Sequence, residues 1–590
     1  MLLAQNQSEK YWRIIMDKKQ IIAVLEEMGV LLELKGENIF KVRAHENAAR
    51  ALETLNESLA SLIASGGLTG VKGIGKGMAD KIVTLFNDEP FEEYETLKAS
   101  VPAGVLEMSN IQGLGPKKIK ALWDELNITS IEALEEAAKA DKISGMKGFG
   151  AKTQEKILQN IELMRKFSDR HHISTAMEIG QQLFDALKNF PGVIRCELAG
   201  SLRRKKETVK DIDIVASAKD EDRAAIMNHF TTLPDIENVV SKGDTKSTIV
   251  LEGGVYSDLR IVSDAEYPHL LHHLTGSKEH NVAMRQLAIK KGMKVSEYGL
   301  FRGEERILCK DEAEIFAKLG MDFVPPELRE NNGEVEAAQA KTLPKLIEPG
   351  DIRGMIHNHS TWSDGANTIE EMAQACIDRG YEYLVISDHS KAAAYANGLS
   401  VERIKQQHAE IDELNKKLAP FRILKSIECD ILSDGSLDYD DDVLATFDLV
   451  ITSIHSKFNM SESEGTDRII RALQNPYTTI LGHMTGRLLL KRDGYPVNHT
   501  AVIDAAADLG VCIEINANPL RLDIDWRHCK YAKEKGVKIA INPDAHRTDG
   551  FDDMQYGIGI ARKGWLTKND ILNCLSADEL LAFAKKRRNG

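Results

Sequence analysis

Tyr383-Leu-Val-Ile-Ser-Asp-His389 is an apolar run that ends in an imidazole, and the same combination recurs in Leu449-Val-Ile-Thr-Ser-Ile-His455 and Val537-Lys-Ile-Ala-Ile-Asn-Pro-Asp-Ala-His546. Each run is typical of a buried strand that delivers a metal-binding side chain where the strand stops. A single histidine of this kind is ordinarily a core or surface residue. If the strands are parallel, however, their ends collect at one rim, and the whole set predicts a metal centre. The set is His357, His359, Asp364, His389, Glu428, His455, His483, Asp544 and His546.

The donor types narrow the chemistry of this centre. Imidazole and carboxylate without thiolate suit zinc, manganese or iron, and not an iron–sulfur cluster or a closed cysteine-rich zinc site. Nine candidate ligands exceed what one ion takes, so we expect two or three ions. Clustered ions activate a water and hold both oxygens of a phosphoester under attack. The C-terminal part is therefore predicted to be a metal-dependent phosphoesterase.

The motifs around these residues, such as His357-Asn-His359-Ser and Pro543-Asp-Ala-His546, resemble the ligand set of the PHP (polymerase and histidinol phosphatase) domain. The resemblance implies a distorted barrel of the (β/α)7 type that hydrolyses phosphoesters. It also implies that all nine residues are metal ligands, with Mn²⁺ and/or Zn²⁺ as the ions. No ligand position is substituted, so we expect this domain to be active.

Length and charge describe a chain of several domains. At 590 residues the length predicts three to five folding units. The net charge of −14 argues against a protein that holds nucleic acid by bulk charge, so local basic patches or backbone amides must do so. The seven cysteines are never spaced as CxxC, and no signal peptide or membrane span is visible. We expect a cytoplasmic monomer with no membrane association.

A hydrophobic-x-Gly-hydrophobic-Gly pattern occurs three times in the N-terminal part, and a predicted helix follows each copy, over 78–86, 117–126 and 153–164. The repeats resemble helix-hairpin-helix motifs, in which turn amides and a helix N-terminus bind a DNA phosphate without reading sequence. Ordinary turns in a helical bundle remain the alternative. Lysines beside the turns supply local positive charge. The predicted DNA-binding glycines are Gly73, Gly75, Gly113, Gly115, Gly148 and Gly150.

Acidic residues in the middle of the chain form another constellation. Because strand side chains alternate, Asp211 and Asp213 project from one face while Ile212 enters the core. A hairpin across Gly253-Gly254 follows, and its Asp258 adds a third carboxylate. Three acids can hold two Mg²⁺ ions, one for a hydroxyl nucleophile and one for a triphosphate.

Gly200-Ser201 and Arg204 precede these acids and can contact the β and γ phosphates of such a triphosphate. This arrangement alone is compatible with any nucleotidyltransferase of the same fold, including enzymes that act on small molecules or RNA, or with chance. The segment from Thr275 to Arg285 favours DNA, because it resembles the thumb of family X DNA polymerases, the family of DNA polymerase beta.

By that resemblance, Asp211, Asp213 and Asp258 are the catalytic acids, which bind Mg²⁺. The remaining residues implied to bind the nucleotide are Gly200, Ser201, Arg204, Gly276, Asn281 and Arg285. Asn281 would meet the incoming base and Arg285 the templating nucleotide.

Two features transfer less directly. DNA polymerase beta carries Tyr-Phe where this chain has His273-Leu274, so the surface that discriminates the sugar is expected to differ. Lys81 aligns with the lysine that removes a 5′-deoxyribose phosphate through a Schiff base in the animal enzyme. A lysine on any surface helix next to DNA is the alternative, because a nucleophilic amine needs a lowered pKa and a shaped pocket.

The whole chain is similar to a bacterial family X DNA polymerase with a C-terminal PHP domain. That resemblance implies template-directed filling of short gaps on gapped or primed DNA with dNTPs, coupled to 3′–5′ exonuclease or phosphodiesterase action in base excision repair. Processing of abasic sites or blocked 3′ ends is a further option. Two alternatives stay open. The PHP domain could be structural or a phosphatase for small phosphoesters, or the chain could be a DNA-binding scaffold.

The predicted fold class is multidomain, with all-α helix-hairpin-helix domains, an α+β nucleotidyltransferase palm and thumb, and the PHP barrel. Predicted boundaries are 1–15 (extension, with Met16 as a possible native start), 16–89 and 90–167 (helical domains), 168–264 (palm), 265–329 (thumb), 330–350 (polar linker), 351–575 (PHP domain) and 576–590 (a tail with solvated basic residues).

Overall fold

The computed structural model describes residues 16, 18–53, 55, 59–87, 91–111, 113–167 and 169–589. The predicted N-terminal extension, 1–15, lies outside them. The chain forms two compact units, Met1–Ser168 and Asp169–Gly590. Among the described residues, none of the helices combines the length and the apolar character that a membrane span requires.

The first unit is all helical and has two hydrophobic cores. Helix α1 contributes to both, because Ile21 and Leu25 lie in the first core whereas Leu31 and Leu34 lie in the second. The helices are α1 (Lys18–Lys35), α2 (Ile39–Glu53), α3 (Leu59–Ser65), α4 (Lys76–Phe86), α5 (Glu92–Ala99), α6 (Ala103–Glu107), α7 (Pro116–Leu126), α8 (Ile131–Lys139) and α9 (Ala151–Phe167).

The three glycine repeats form the same backbone turn. In each copy the amide of the residue between the glycines donates to the carbonyl three residues earlier, at 3.0 Å in Ile74, Leu114 and Phe149. The first glycine of each pair has a positive φ, between 81° and 102°, which only glycine adopts at little cost. Helices α4, α7 and α9 begin directly after the second glycine.

The second unit opens with the predicted palm and thumb. A five-stranded sheet has the order β2-β4-β7-β6-β5, and β4 and β7 are its parallel pair. The strands are β1 (His171–His172), β2 (Val193–Leu198), β3 (Thr208–Val209), β4 (Asp211–Ala218), β5 (Ile236–Lys242), β6 (Lys246–Leu251), β7 (Val255–Val262), β8 (Lys294–Ser296), β9 (Gly299–Arg302) and β10 (Glu305–Ile307). The helices are α10 (Ile173–Lys188), α11 (Gly200–Arg203), α12 (Asp220–Phe230), α13 (Tyr267–Thr275), α14 (Lys278–Lys290), α15 (Glu312–Lys318) and α16 (Glu334–Ala340).

Seven parallel strands then form a nearly closed barrel in sequence order, with a bridge from Asn358 to Ala545 joining the first and last edges. The strands are β11 (Gly354–Asn358), β12 (Tyr383–Ile386), β13 (Arg422–Asp430), β14 (Leu449–Ser453), β15 (Thr478–Leu481), β16 (Cys512–Asn516) and β17 (Ile539–Asn542). The helices are α17 (Ile369–Asp378), α18 (Val401–Lys417), α19 (Asp441–Leu444), α20 (Glu462–Gln474), α21 (His499–Leu509), α22 (Trp526–Glu534), α23 (Met554–Lys563) and α24 (Ala577–Arg588). The predicted fold class is confirmed.

The segment expected to be a polar linker is ordered and partly buried. Its helix α16 places Val335 and Ala338 in the core of the thumb, together with Trp565 from the barrel. The buried carboxylate of Glu334 accepts a hydrogen bond at 2.6 Å from His280 Nδ1. Tertiary partners therefore bury a stretch whose composition alone is typical of a solvated connection.

The basic C-terminal residues are also bound, where we expected solvated side chains. Arg587 Nη2 donates to the Leu473 carbonyl at 2.6 Å, and Arg588 Nη2 donates to the Phe447 carbonyl at 2.6 Å. Apolar residues of α24 meanwhile join the interior of the barrel. The tail is thus part of the barrel structure.

A buried ion pair joins the thumb to the palm. Glu312 accepts from Arg329, whose side chain is fully buried, and from Arg203 Nη2 at 2.8 Å. Removing one partner of a buried pair costs about 3–5 kcal/mol because the remaining charge is left uncompensated.

Glu312→Gln should therefore lower the melting temperature of the second unit by about 3–6 °C in differential scanning calorimetry. The matched control is Glu304→Gln, an exposed glutamate in the turn before β10, which should leave the transition unchanged. Equal transitions for the two variants would contradict this account of the thumb.

Two candidate metal centres

The ends of the barrel strands bring all nine predicted PHP ligands to one rim. His357 and Glu428 lie on strands β11 and β13, and the others follow strand ends. His357 and Asp544 have positive φ values of 63° and 52°, a left-handed conformation that non-glycine residues rarely adopt. Such strain persists where the surrounding structure enforces it, commonly at functional sites.

Donor atoms of these residues form three overlapping groups, and within each group the atoms lie within 4.8 Å of one another. The groups share His359 and His389, and a neutral imidazole offers one lone pair, so the groups overlap and are not three independent ion sites. The three groups are His359, Asp364, His389 and His546; His357, His359 and Asp544; and His389, Glu428 and His455. His483 joins them through Glu428, at 3.0 Å.

Glu428 lies at the centre of the cluster. Its oxygens lie within 3.3 Å of ring nitrogens of His357, His389, His455 and His483. Burial acts to raise the pKa of Glu428, but the imidazoles around it outweigh burial and hold the pKa well below its usual range. The carboxylate is therefore ionised and available as a bridging ligand.

The fit of metal ions to this rim depends on buried donor atoms that lack hydrogen-bond partners. Among the described residues, the buried atoms His357 Nε2, His359 Nδ1 and Glu428 Oε2 make no hydrogen bond. Burial, with help from His546 and His389, lowers the pKa of His359 to about 3, so this imidazole is neutral with a free lone pair. Buried polar atoms without partners are costly unless a ligand satisfies them. The residues present fit cations with nitrogen and oxygen ligands.

Sequence reasoning missed two buried acids that hold the ligands in place. Glu514, on β16, accepts from His357 Nδ1 at 2.6 Å and from the His483 amide at 3.0 Å. Asp388 accepts from the Ser360 amide at 2.8 Å and from Gln407 at 2.6 Å, which orders the loop after His359. Partners of this kind fix the tautomer and orientation of metal ligands. For Glu514, the available signal in the sequence was an acid inside the apolar run 511–517.

The three predicted palm acids lie on two adjacent parallel strands. Asp213 on β4 is in register with Asp258 on β7, and Asp211 is two residues before Asp213 on the same face. Burial, followed by the charges of Asp211 and Asp258, raises the pKa of Asp213 to about 7. A cluster of carboxylates that resist ionising together is the donor set that Mg²⁺ would relieve.

Gly200 must be a glycine in this site. It has φ 61°, and a Cβ there would lie 2.0 Å from Asp213 Oδ2. The tight turn at Gly200 begins α11, which contains Ser201, and Arg204 follows directly after this helix. Arg204 is mostly buried and donates to Glu330 Oε1 at 2.9 Å and to the Thr275 carbonyl at 2.9 Å.

The thumb residues predicted to bind the nucleotide lie around the start of α14. Asn281 Nδ2 donates to the His273 carbonyl at 2.8 Å and to the Gly276 carbonyl at 3.2 Å. A Cβ on Gly276 would lie 2.7 Å from Asn281 Oδ1, so a side chain at this position would crowd the Asn281 amide. Arg285 is exposed on α14.

In the first unit, the backbone at Gly75, Gly113, Gly115, Gly148 and Gly150 is open, since a Cβ added at any of them would meet nothing within 4 Å. A phosphate can therefore approach the turn amides closely.

Lys81 lies elsewhere in the first unit, where its Nζ is 2.6 Å from Glu93 and 3.2 Å from His45 Nε2. The amine is thus already engaged by a carboxylate and an imidazole.

Four family models match the chain. They are a helix-hairpin-helix domain over 16–89, a SAM-like helix-hairpin-helix tandem over 105–162, the DNA polymerase beta thumb over 270–330 and the PHP domain over 356–517. The models thus cover most of the first unit, the thumb and the barrel up to residue 517, whereas the palm acids lie between the matched regions.

Similar proteins span different parts of the chain. The "DNA polymerase/3′-5′ exonuclease PolX" of Bacillus subtilis (strain 168) is 43% identical over 97% of this chain and all of its own length. The DNA polymerase lambda of Rattus norvegicus is 24% identical over 52% of this chain and 55% of its own length. A probable phosphatase of Thermoanaerobacter sp. (strain X514) is 30% identical over 37% of this chain and 88% of its own length.

Fold and sites together define a protein with helix-hairpin-helix modules, a polymerase-type palm and thumb, and a PHP barrel. The chain belongs to the family X DNA polymerases that carry a C-terminal PHP domain. The resemblance noted from the sequence is confirmed.

Glu514→Gln should weaken metal binding by the barrel about 10- to 100-fold, the usual cost of losing a group that orients a ligand. Titration calorimetry with Mn²⁺ measures this. The control is Glu534→Gln, an exposed glutamate at the end of α22, which should bind Mn²⁺ as the unmodified protein does. Unchanged affinity in Glu514→Gln would show that His357 needs no such partner.

Proposed function

We propose that this protein is a template-directed DNA polymerase that fills short gaps, joined to a metal-dependent 3′–5′ exonuclease, and that it acts in base excision repair. The observation that carries the proposal is the presence of two separate clusters of metal-binding side chains, one in the palm and one in the barrel, in a single compact unit. The Bacillus relative, whose name joins the same two activities, supports it.

In the palm, Asp211, Asp213 and Asp258 would hold Mg²⁺, which when bound activates the primer hydroxyl and carries the triphosphate. Lys246 pairs with Asp258 at 2.7 Å and Thr248 donates to it at 2.6 Å, so that carboxylate has a fixed orientation. The turn at Gly200-Ser201 and the guanidinium of Arg204 would bind the phosphates. Pyrophosphate is the leaving group.

In the barrel, the nine rim residues would hold two or three Mn²⁺ and/or Zn²⁺ ions, which when bound supply a nucleophilic water and stabilise charge on the phosphodiester. The chain's own contribution is orientation. Glu514 fixes His357, and Asp430 lies 3.2 Å from His455 Nδ1 and fixes that ring. Trimming of mismatched or blocked 3′ ends would prepare primers for extension by the palm.

The turn amides of the first unit would hold the DNA backbone without reading sequence. Contacts through amides and nearby lysines suit a chain whose net charge is −14. Gapped or primed DNA and dNTPs are the substrates that this arrangement fits.

One assay separates this proposal from its alternatives. The protein is incubated with Mn²⁺ and a 5′-labelled primer on a duplex with a one-nucleotide gap, with and without dNTPs. Extension with dNTPs and stepwise shortening without them support both activities. Extension without shortening would leave a structural barrel or a small-phosphoester phosphatase, as the phosphatase relatives suggest. Neither product would favour a DNA-binding scaffold.

Asp213→Asn should abolish primer extension and leave shortening intact, because it removes a metal ligand from the palm alone. The same labelled primer reports both activities. Glu237→Gln, an exposed acid on the edge strand β5, is the control and should extend normally. Wild-type extension by Asp213→Asn would exclude the palm as the polymerase site.

His359→Ala should impair primer shortening and leave primer extension intact, because His359 belongs to two of the three metal groups in the barrel. We expect shortening to fall by more than the roughly 100-fold that loss of a supporting partner costs, with extension unchanged. His499→Ala, on α21 of the same barrel, is the control. Persistent shortening by the His359 variant would place the exonuclease elsewhere.

A further inference from the structure

A lysine from the barrel reaches the backbone of Arg204, the palm residue predicted to bind the triphosphate. Lys563 is the last residue of helix α23, and only 1% of its surface is exposed. Its Nζ donates to Glu330 and to the backbone carbonyl of Arg204, the latter at 3.2 Å. The amine also lies 4.7 Å from the ring centre of Trp526, which excludes water from one side.

Glu330 connects this lysine to the guanidinium of Arg204. The same oxygen, Oε1, accepts from Lys563 Nζ and from Arg204 Nε at 2.9 Å. Arg204 Nη1 donates to the Thr275 carbonyl at 2.9 Å. In the part of the chain that the structure describes, Arg204 Nη2 has no hydrogen-bond partner. The guanidinium is thus fixed at two nitrogens, and the third is left for a ligand.

The charges of this cluster determine the field that a phosphate would meet. Burial acts to raise the pKa of Glu330, but Lys563 and Arg204 outweigh it and lower the pKa. Among Lys563, Glu330 and Arg204, one ionised carboxylate shared by two cations leaves a net charge of about +1 in a largely buried site, where charge interactions are strong; Glu207 is a further carboxylate that acts on Lys563. Without the lysine, Glu330 would neutralise Arg204 alone and the net charge would vanish.

We propose that Lys563 is a positioning residue for the incoming nucleotide, which acts through Glu330 and the Arg204 backbone so that the barrel completes the triphosphate-binding side of the palm. This inference rests on the proposed polymerase function and on the predicted role of Arg204. It assigns the barrel a part in nucleotide binding that is separate from its own metal centre.

The neighbouring residue provides a matched control. Arg562 also crosses from the barrel, where its Nε donates to Glu327 Oε1 at 2.8 Å and its Nη1 to the Ile347 carbonyl at 2.8 Å. These contacts do not include Arg204. A general role in holding the two domains together would make the Arg562 and Lys563 variants equivalent, whereas a positioning role would separate them.

The experiment measures kcat and KM for the dNTP on one-nucleotide-gapped DNA with the full chain. It compares the unmodified protein with Lys563→Met, Lys563→Gln, Lys563→Arg and Arg562→Met. We expect Lys563→Met and Lys563→Gln to raise KM at least about fivefold with a smaller effect on kcat, as is typical of coupled sites. Lys563→Arg, which keeps the charge, should restore most of the affinity, and Arg562→Met should not change KM.

Primer shortening by the barrel serves as the folding readout for each variant, since an unfolded unit would lose it. Should Lys563→Met lose shortening, Lys563→Gln, which retains a hydrogen-bond donor, decides the question. Unchanged KM in a folded variant, or an equal increase in Arg562→Met, would overturn the inference while the proposed function stands. Failure of the unmodified protein to extend primers would instead overturn the proposed function, and this inference with it.

Discussion

Charged groups that are buried must be paired, and the parallel barrel concentrates such groups at one place. Because all seven strands run in the same direction, their carboxyl ends meet at a single rim. An unpaired charge there would cost several kcal/mol. The imidazoles of the rim therefore surround Glu428. Glu514 and Asp388 form hydrogen bonds with His357 and with the Ser360 amide, respectively, and so keep the ligands in place. The left-handed backbone at His357 is the local strain that this convergence imposes.

In the palm, charged groups are also clustered and partly buried, but all three are carboxylates. Its acids also lie on a parallel pair, β4 and β7, but the cluster contains carboxylates and no imidazole. Burial, followed by repulsion from the other two acids, raises the pKa of Asp213 to about 7. Oxygen-only ligands suit a hard cation such as Mg²⁺, whereas the mixed donors of the rim suit Mn²⁺ or Zn²⁺. The two centres can thus differ in their ions because their donor atoms differ.

The sequence predicted what depends on local pattern, namely the strands that end in ligands, the glycine turns and the alternation that pairs Asp211 with Asp213. It failed where burial depends on distant partners. Glu334 lies in a polar stretch typical of a linker, yet it is buried and accepts a hydrogen bond from His280, 54 residues earlier in the chain. Glu514 likewise looks like an isolated polar residue in a core strand until the fold brings His357 to it. No local pattern reports such partners, because they are set by the packing of whole domains.

Palm and barrel are joined by contacts that resist relative motion. One hydrophobic core includes Ile173 and Leu202 of the palm together with Trp526 and Ile558 of the barrel. Across the same junction, Lys563 and Glu330 form a buried ion pair, and separating it would leave the charge of Lys563 without its carboxylate partner, while Glu330 would keep Arg204. In this structure both centres lie in one compact unit. If both activities are present, the primer end must therefore travel from one centre to the other.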